Sequence, residues 1–237
     1  MSAPTRFLSG VATVPASQPL GNYPLPDPFH TSGNSGLDLF TYANDYTDLG
    51  NAGSRTITGT SSAFALADGV GGIGVLTPGG TTTASAMYRT AAAFKFVSGQ
   101  DFWYTTRIAY SGVGTGITGY FGVIKTGGAT TDSLLFKLAT TGVLSLVSTV
   151  SSTATTLVSS VATMTAGTYV EVAFYYDGTD LLVYANHNVV ARVAGVTIGS
   201  TGTTLTNAAL TEIIQITPAA TETISVDFVF VAQEVVR

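Results

Sequence analysis

From Phe94 onward the chain breaks into strand-length apolar runs about every 10–12 residues, each closed by Gly, Asn, Asp, Ser or Thr, the rhythm of a sandwich or barrel. FKFVSGQDFWYTTRIAYSG predicts two strands around a turn at Ser98–Asp101. YFGVIKTGG, SLLFKLATTG, VLSLVSTV and TLVSSVATM each predict one more. YVEVAFYYDGTDLLVYANHNVVARV predicts three, and LTEIIQITP and TISVDFVFVAQEVV close the series. No ten-residue window holds the 3.6-residue spacing of a helix. Val and Thr crowd these runs, where β-branching suits a pleated surface and penalises a helix.

Alternation assigns faces in Tyr169–Val193. Val170, Val172, Phe174 and Tyr176 fall on one side, and Glu171, Ala173 and Tyr175 on the other, because side chains alternate along a strand. Leu182 and Tyr184 likewise oppose Leu181, Val183 and Ala185. Asp177-Gly178 supplies one turn and Asn186-His187-Asn188 the next, since Gly and Asn tolerate positive φ. The segment reads as an antiparallel meander.

The first 36 residues differ. Six of the eight prolines lie here, at 4, 15, 19, 24, 26 and 28, which excludes a helix or a central strand. Phe7, Leu8, Val11, Val14, Leu20, Tyr23, Leu25 and Phe29 are nevertheless spaced through it, more large apolar groups than a flexible linker carries. The stretch reads as an extended arm, 1–36, that seats these side chains on another surface or around its own domain, 37–237. Residues 37–90 read as a transition containing one short strand at RTITGT. GVGGIGVLTPGG lacks the Gly-Lys-Ser/Thr close of a phosphate loop, and no helix follows its Gly69, Gly71 and Gly74 as a dinucleotide site requires, so it reads as a β segment with tight bends.

Composition narrows the function. Charged residues are only 10% and the net charge is −5; an ordinary soluble protein carries about 25%. Mean hydropathy is +0.38, yet no run approaches the ~18 apolar residues of a membrane span. The N-terminus has no continuous apolar core of a secretory signal. With no cysteine, disulfides and thiolate zinc sites are excluded, which fits synthesis in a cytoplasm. No basic stripe marks a nucleic-acid surface. A Thr-, Ser-, Ala- and Gly-rich exterior costs little to desolvate and suits a protein packed against neighbours.

The Tyr169–Val193 meander, with its DGT and Asn turns, resembles concanavalin A-like (laminin-G-like) jelly rolls, in which the last turn is commonly Asn-Gly. AAAFKFVSGQDFWYTTRIAYSG is similar to the opening strands of such domains in tailed-phage virion proteins. Phe94, Phe96, Gly99, Phe102, Trp103 and Tyr104 fit an F-x-F…G…(L/F)-W-(F/Y) pattern there, and TISVDFVFV resembles the final strand. The likeness covers about residues 90–237 and leaves the arm unmatched. It implies an all-β antiparallel jelly-roll sandwich with an extended arm, in a phage structural protein such as a head decoration or cement protein.

Catalytic chemistry is sparse. Polysaccharide hydrolases on this fold carry Glu-x-Asp-x-x-Glu on one strand, and none of Glu171, Glu212, Glu222 or Glu234 has an Asp two residues on. Asp177 and Asp180 flank a Gly turn and serve backbone geometry. A Ser-His-Asp set needs a histidine; His30 lies in the arm and His187 in a turn. YANDYTDLGN offers Asn44, Asp45 and Asp48 as oxygen ligands without EF-hand spacing. No enzyme, cofactor or metal is expected. Trp103, Tyr104, Tyr110, Tyr120, Tyr175, Tyr176 and Tyr184 could build a sugar platform, although a lone Trp in a strand is more often core. The expectation is a non-enzymatic virion protein on the capsid surface, made in the host cytoplasm. Its partners would be the major capsid protein and copies of itself, as a dimer or trimer, with no nucleic acid or membrane. The alternative is a lectin-like carbohydrate-binding module on a virion or secreted protein, which could engage a surface glycan.

Overall fold

The computed structural model describes residues 11–12, 25–26, 38–46, 55–67, 72–80, 84–112, 116–125, 129–219 and 221–235. Within them lie nineteen strands, β1–β19. Val11–Ala12 (β1) and Leu25–Pro26 (β2) pair with each other.

Two antiparallel sheets form the body. The seven-stranded sheet runs β12-β11-β10-β9-β18-β7-β4. These strands are Thr153–Thr163, Val143–Val150, Ala129–Leu138, Thr118–Lys125, Leu210–Thr217, Ser85–Arg89 and Arg55–Thr58. The eight-stranded sheet runs β15-β14-β13-β8-β19-β6-β5, with β3 also on β19. These are Asn188–Val193, Leu181–Ala185, Val170–Asp177, Asp101–Tyr110, Ile224–Val235, Ile73–Thr77, Ala63–Ala67 and Asp38–Asn44. The closing strand β19 is twelve residues long. Its first half pairs with β6 and its second with β3, while β8 lies along its other side. Ile198–Gly199 (β16) and Leu205–Thr206 (β17) form a small parallel pair.

The 37–90 stretch is therefore no transition: five of its segments are sheet strands, β3 to β7. Conversely, the strand expected at Phe94–Phe96 is one bridge, Phe94 to Leu210. The turns fall where alternation placed them. Asn186 and His187 both have positive φ, 45° and 67°, which a two-residue hairpin loop of this hand requires. Gly178 has φ 88°, and a side chain there would strike the Gly99 backbone.

The inner faces meet in an aromatic interior. Phe174 of β13 stacks on its cross-strand partner Tyr104 of β8, ring centres 5.1 Å apart. It also touches Phe102 at 6.0 Å and Phe136 of the opposite sheet at 5.9 Å. Phe136 in turn meets Phe121 of β9 at 5.4 Å. Tyr110 of β8 lies so close to Gly119 of β9 that a Cβ there would sit 2.1 Å from its hydroxyl.

At the edge of the seven-stranded sheet, β12 shifts register twice against β11. It takes four residues, Ala162 to Val158, where β11 takes two, Leu144 to Leu146, and then two to cover one more. The strand is bulged, and much of it is exposed.

Phe174 is 1% exposed and joins both sheets. Phe174→Ala is expected to lower unfolding free energy by about 3–5 kcal/mol, whereas Val189→Ala, at a site 54% exposed, should stay within about 0.5 kcal/mol. Urea unfolding of both variants checks this; equal effects would contradict the packing described.

Candidate functional site

Not all apolar side chains point inward. Ala86 of β7, Ile124 of β9, Leu135 of β10 and Ile213 of β18 form a separate buried cluster with Tyr88 and Tyr120 against it. Their strand neighbours Met87, Val123, Leu134, Phe136 and Ile214 belong to the interior, so this cluster lies on the outer face of the seven-stranded sheet.

Beside it opens a cleft of about 230 Å³, lined by Tyr120, Ser133, Leu135, Lys137, Val147, Thr149, Ser152 and Ala154. Ser133 and Leu135 follow the alternation of β10 outward, and Tyr120 faces Lys137 across β9 and β10. The Lys137 ammonium lies 5.8 Å from the Tyr120 ring centre. Ser133 is 1% exposed, and its hydroxyl has no hydrogen-bond partner among the described residues. A buried hydroxyl without a partner costs about 1–3 kcal/mol. The lining thus offers one aromatic wall, an aliphatic floor, three Ser/Thr hydroxyls and one cation.

This sheet carries two carboxylates among its described residues, and neither faces the cleft as a free acid. Asp132 sits in the irregular start of β10. It accepts from Thr206 Oγ1 at 2.8 Å, the Ser151 amide at 3.2 Å and Lys125 Nζ at 3.3 Å. Burial pushes its carboxyl up, but those bonds outweigh it and hold the group below the usual range. They also steady the turn at Ser151 and Ser152, both at positive φ.

Glu212 points the other way. In LTEIIQIT it shares a face with Leu210, Ile214 and Ile216, all interior residues, and it is 3% exposed. Around it, Tyr42 Oη accepts from Arg55 Nη2 at 3.1 Å and Asn44 Nδ2 at 3.3 Å. Arg89 lies over the Tyr42 ring at 4.5 Å and Arg55 over Tyr46 at 5.5 Å. Burial pushes the Glu212 carboxyl up to about 7, against the pull of its own backbone amide, Arg89, Arg55 and a bond with Tyr42. This network ties β3 of one sheet to β4, β7 and β18 of the other. The alternation of LTEIIQIT was the signal that could have found it.

The outer face of the eight-stranded sheet holds Trp103. It faces away from the interior, stacked 5.1 Å from Tyr175, yet is only 9% exposed and so offers no open platform. Tyr175 Oη donates to Asp101 at 3.2 Å. Burial, opposed by that bond and helped by Glu234 and Asp177, pushes Asp101 up to about 6. Tyr104, Tyr110 and Tyr176 are interior, and Tyr184 is 3% exposed beside Tyr175. Of the seven candidate platform aromatics, Tyr120 alone lines the cleft.

The remaining candidates scatter. His187 Nδ1 lies 3.3 Å from Glu171 Oε1. Asp180 accepts from Arg192 Nε and the Gly195 amide, both at 2.8 Å. The Gly195 amide and then Arg192 hold its carboxyl below the usual range. Asn44 caps the Tyr46 amide at 2.7 Å, while Asp48 and His30 lie outside the described residues. Among the described residues no group of three acidic or histidine side chains could hold a metal. Of the arm residues, Val11 and Leu25 lie in β1 and β2. Phe7, Leu8, Val14, Leu20, Tyr23 and Phe29, and the boundary at residue 36, lie outside the described residues.

No family model and no curated protein sequence matches the chain. Solved structures do. An endo-1,3-β-glucanase from Streptomyces sioyaensis aligns over 84% of this chain and 97% of its own, with TM-score 0.58 and 12% identity. The exoplasmic/lumenal domain of VIP36, in its Ca²⁺/Man3GlcNAc-bound form, aligns over 82% and 89% at TM-score 0.56 and 12% identity. Peanut lectin aligns over 84% and 100% at TM-score 0.54 and 11% identity. The chain has the concanavalin A-like jelly-roll fold. The likeness to virion proteins expected from Phe94–Tyr104 has no support among these three structures.

The buried Glu212 makes stability pH-dependent. The folded chain keeps a proton that the unfolded chain releases near pH 4.5, so stability is full below that value and falls as pH rises toward about 7. Asp101 acts in the same direction up to about pH 6. Melting temperature should therefore fall between pH 5 and 7.5, and Glu212→Gln should flatten much of that fall; an unchanged slope would refute the assignment.

Proposed function

We propose that the chain is a non-catalytic carbohydrate-binding domain whose site is the cleft on the outer face of the seven-stranded sheet. The observation that carries this reading is Ser133, a buried hydroxyl with no partner among the described residues, set in a cleft walled by Tyr120. Sugars present hydroxyls to satisfy such a group and C–H faces to lie on an aromatic ring. Neighbours that bind or cleave glycans on this fold add weight. Catalysis is disfavoured because retaining glycosidases need two carboxyl groups about 5–5.5 Å apart. Here Asp132 is bound by three partners and Glu212 is interior.

Calorimetric titration with a panel of soluble oligosaccharides tests the reading. Tyr120→Ala should abolish measurable binding. Ser133→Ala should weaken it about fivefold, the worth of one hydrogen bond, while stability holds or rises because the unpartnered hydroxyl is gone. Parallel losses of stability and binding would point to a structural role instead.

A second reading, compatible with the first, places the domain on a phage capsid, held by its arm to the major capsid protein or to copies of itself. The 10% charge content and the apolar side chains among six prolines favour it. Burying several of these at ~1.5–3 kcal/mol each could offset the entropy of ordering the arm. Replacing Phe7, Leu8, Val11 and Val14 with Ser in the full chain should strip it from particles without changing its circular dichroism; full occupancy would count against the arm.

A further inference from the structure

Resting on the carbohydrate reading of the cleft, we infer that its ligand is an anionic oligosaccharide, with Lys137 taking an acidic group on one ring and Ser133 a hydroxyl on another. Lys137 is the one charged residue that lines the cleft. Three other cations of the body are paired with carboxylates: Arg107 with Asp227, Lys125 with Asp132 and Arg192 with Asp180. Lys137 has no carboxylate partner among the described residues; its neighbours are the Tyr120 ring and Ser145, opposite it on β11. In a chain with 14 acidic and 9 basic residues, a cation left unneutralised beside a cleft without a free carboxylate favours a negatively charged ligand group over a neutral one.

Spacing sets the ligand's size. Ser133 and Lys137 stand four residues apart on β10, so their backbones are about 13 Å apart along the strand. One sugar ring does not span that distance, so the two groups are met by different rings of one chain. The cleft, about 230 Å³, lies below the ~300–1,000 Å³ of drug-sized sites, which confines the contact to a short stretch of the oligosaccharide. Tyr120 lies beneath the ammonium, where its ring favours the cation and leaves the charge facing outward.

Two matched pairs of probes test this in the full chain: an oligogalacturonide against its methyl-esterified form, and a sulfated galactan oligosaccharide against its desulfated form. At least one charged member should bind threefold or more tightly than its neutral partner at about 10 mM salt, with the preference lost near 500 mM as screening sets in. The pair that shows the preference tells carboxylate from sulfate. Lys137→Gln should bring the charged ligand down to the neutral one, while Lys95→Gln, which removes an exposed charge outside the cleft, should keep the preference. Equal binding within both pairs, or a preference that survives Lys137→Gln, overturns the inference and leaves the carbohydrate reading standing. Binding of none of the four removes both.

Discussion

The fold hangs on two adjacent rungs of the β8–β13 pair, one aromatic on the inner face and the next on the outer. Tyr104 and Phe174 stack inside, and directly beside them Trp103 and Tyr175 stack outside. Such pairs are worth about 0.5–1.5 kcal/mol beyond the area they bury. Phe174 then reaches Phe136 in the opposite sheet, which fixes how the sheets meet. A one-residue slip between β8 and β13 would break both stacks and turn every side chain to the wrong face. The register of the eight-stranded sheet is thus set from two sides at once.

That frame explains why the seven-stranded sheet can carry the cleft. Its inner face is held by Phe121, Phe136 and the close seat of Tyr110 on Gly119. Its outer face is then free to present Tyr120, Ser133 and Lys137 on regular strands rather than on loops. Strand-borne groups are placed more rigidly than loop-borne ones, so a buried hydroxyl can persist without a partner. Glu212 shows the opposite use of a polar group: turned inward, it joins the two sheets through Tyr42 and the arginines.

Much of the body was legible in the sequence because alternation and turn residues are local signals. The faces of Val170–Ala185 and the turns at Gly178 and Asn186-His187 fell where the pattern placed them. The strand β3 was not legible, since LDLFTYAN earns its place by pairing with β19 nearly two hundred residues away, a contact no local pattern encodes. Trp103 is buried, as a lone strand Trp commonly is, although it lies on the outer face against Tyr175. The cleft was hidden for a similar reason. Ser133, Lys137 and Tyr120 are ordinary residues in sequence, and only the pairing of β9 with β10 brings them together.

The bulges of β12 bear on edge-to-edge pairing in a chain that carries few charges. Open sheet edges invite pairing between molecules, and proteins commonly deter it with lysines or prolines. Thr153–Thr163 has neither. The extra residues instead kink and twist the strand, so a flat partner finds no continuous row of amides to match. Shape here takes over a task that most surfaces leave to electrostatic repulsion, and straightening this border would offer a second molecule a continuous row of amides.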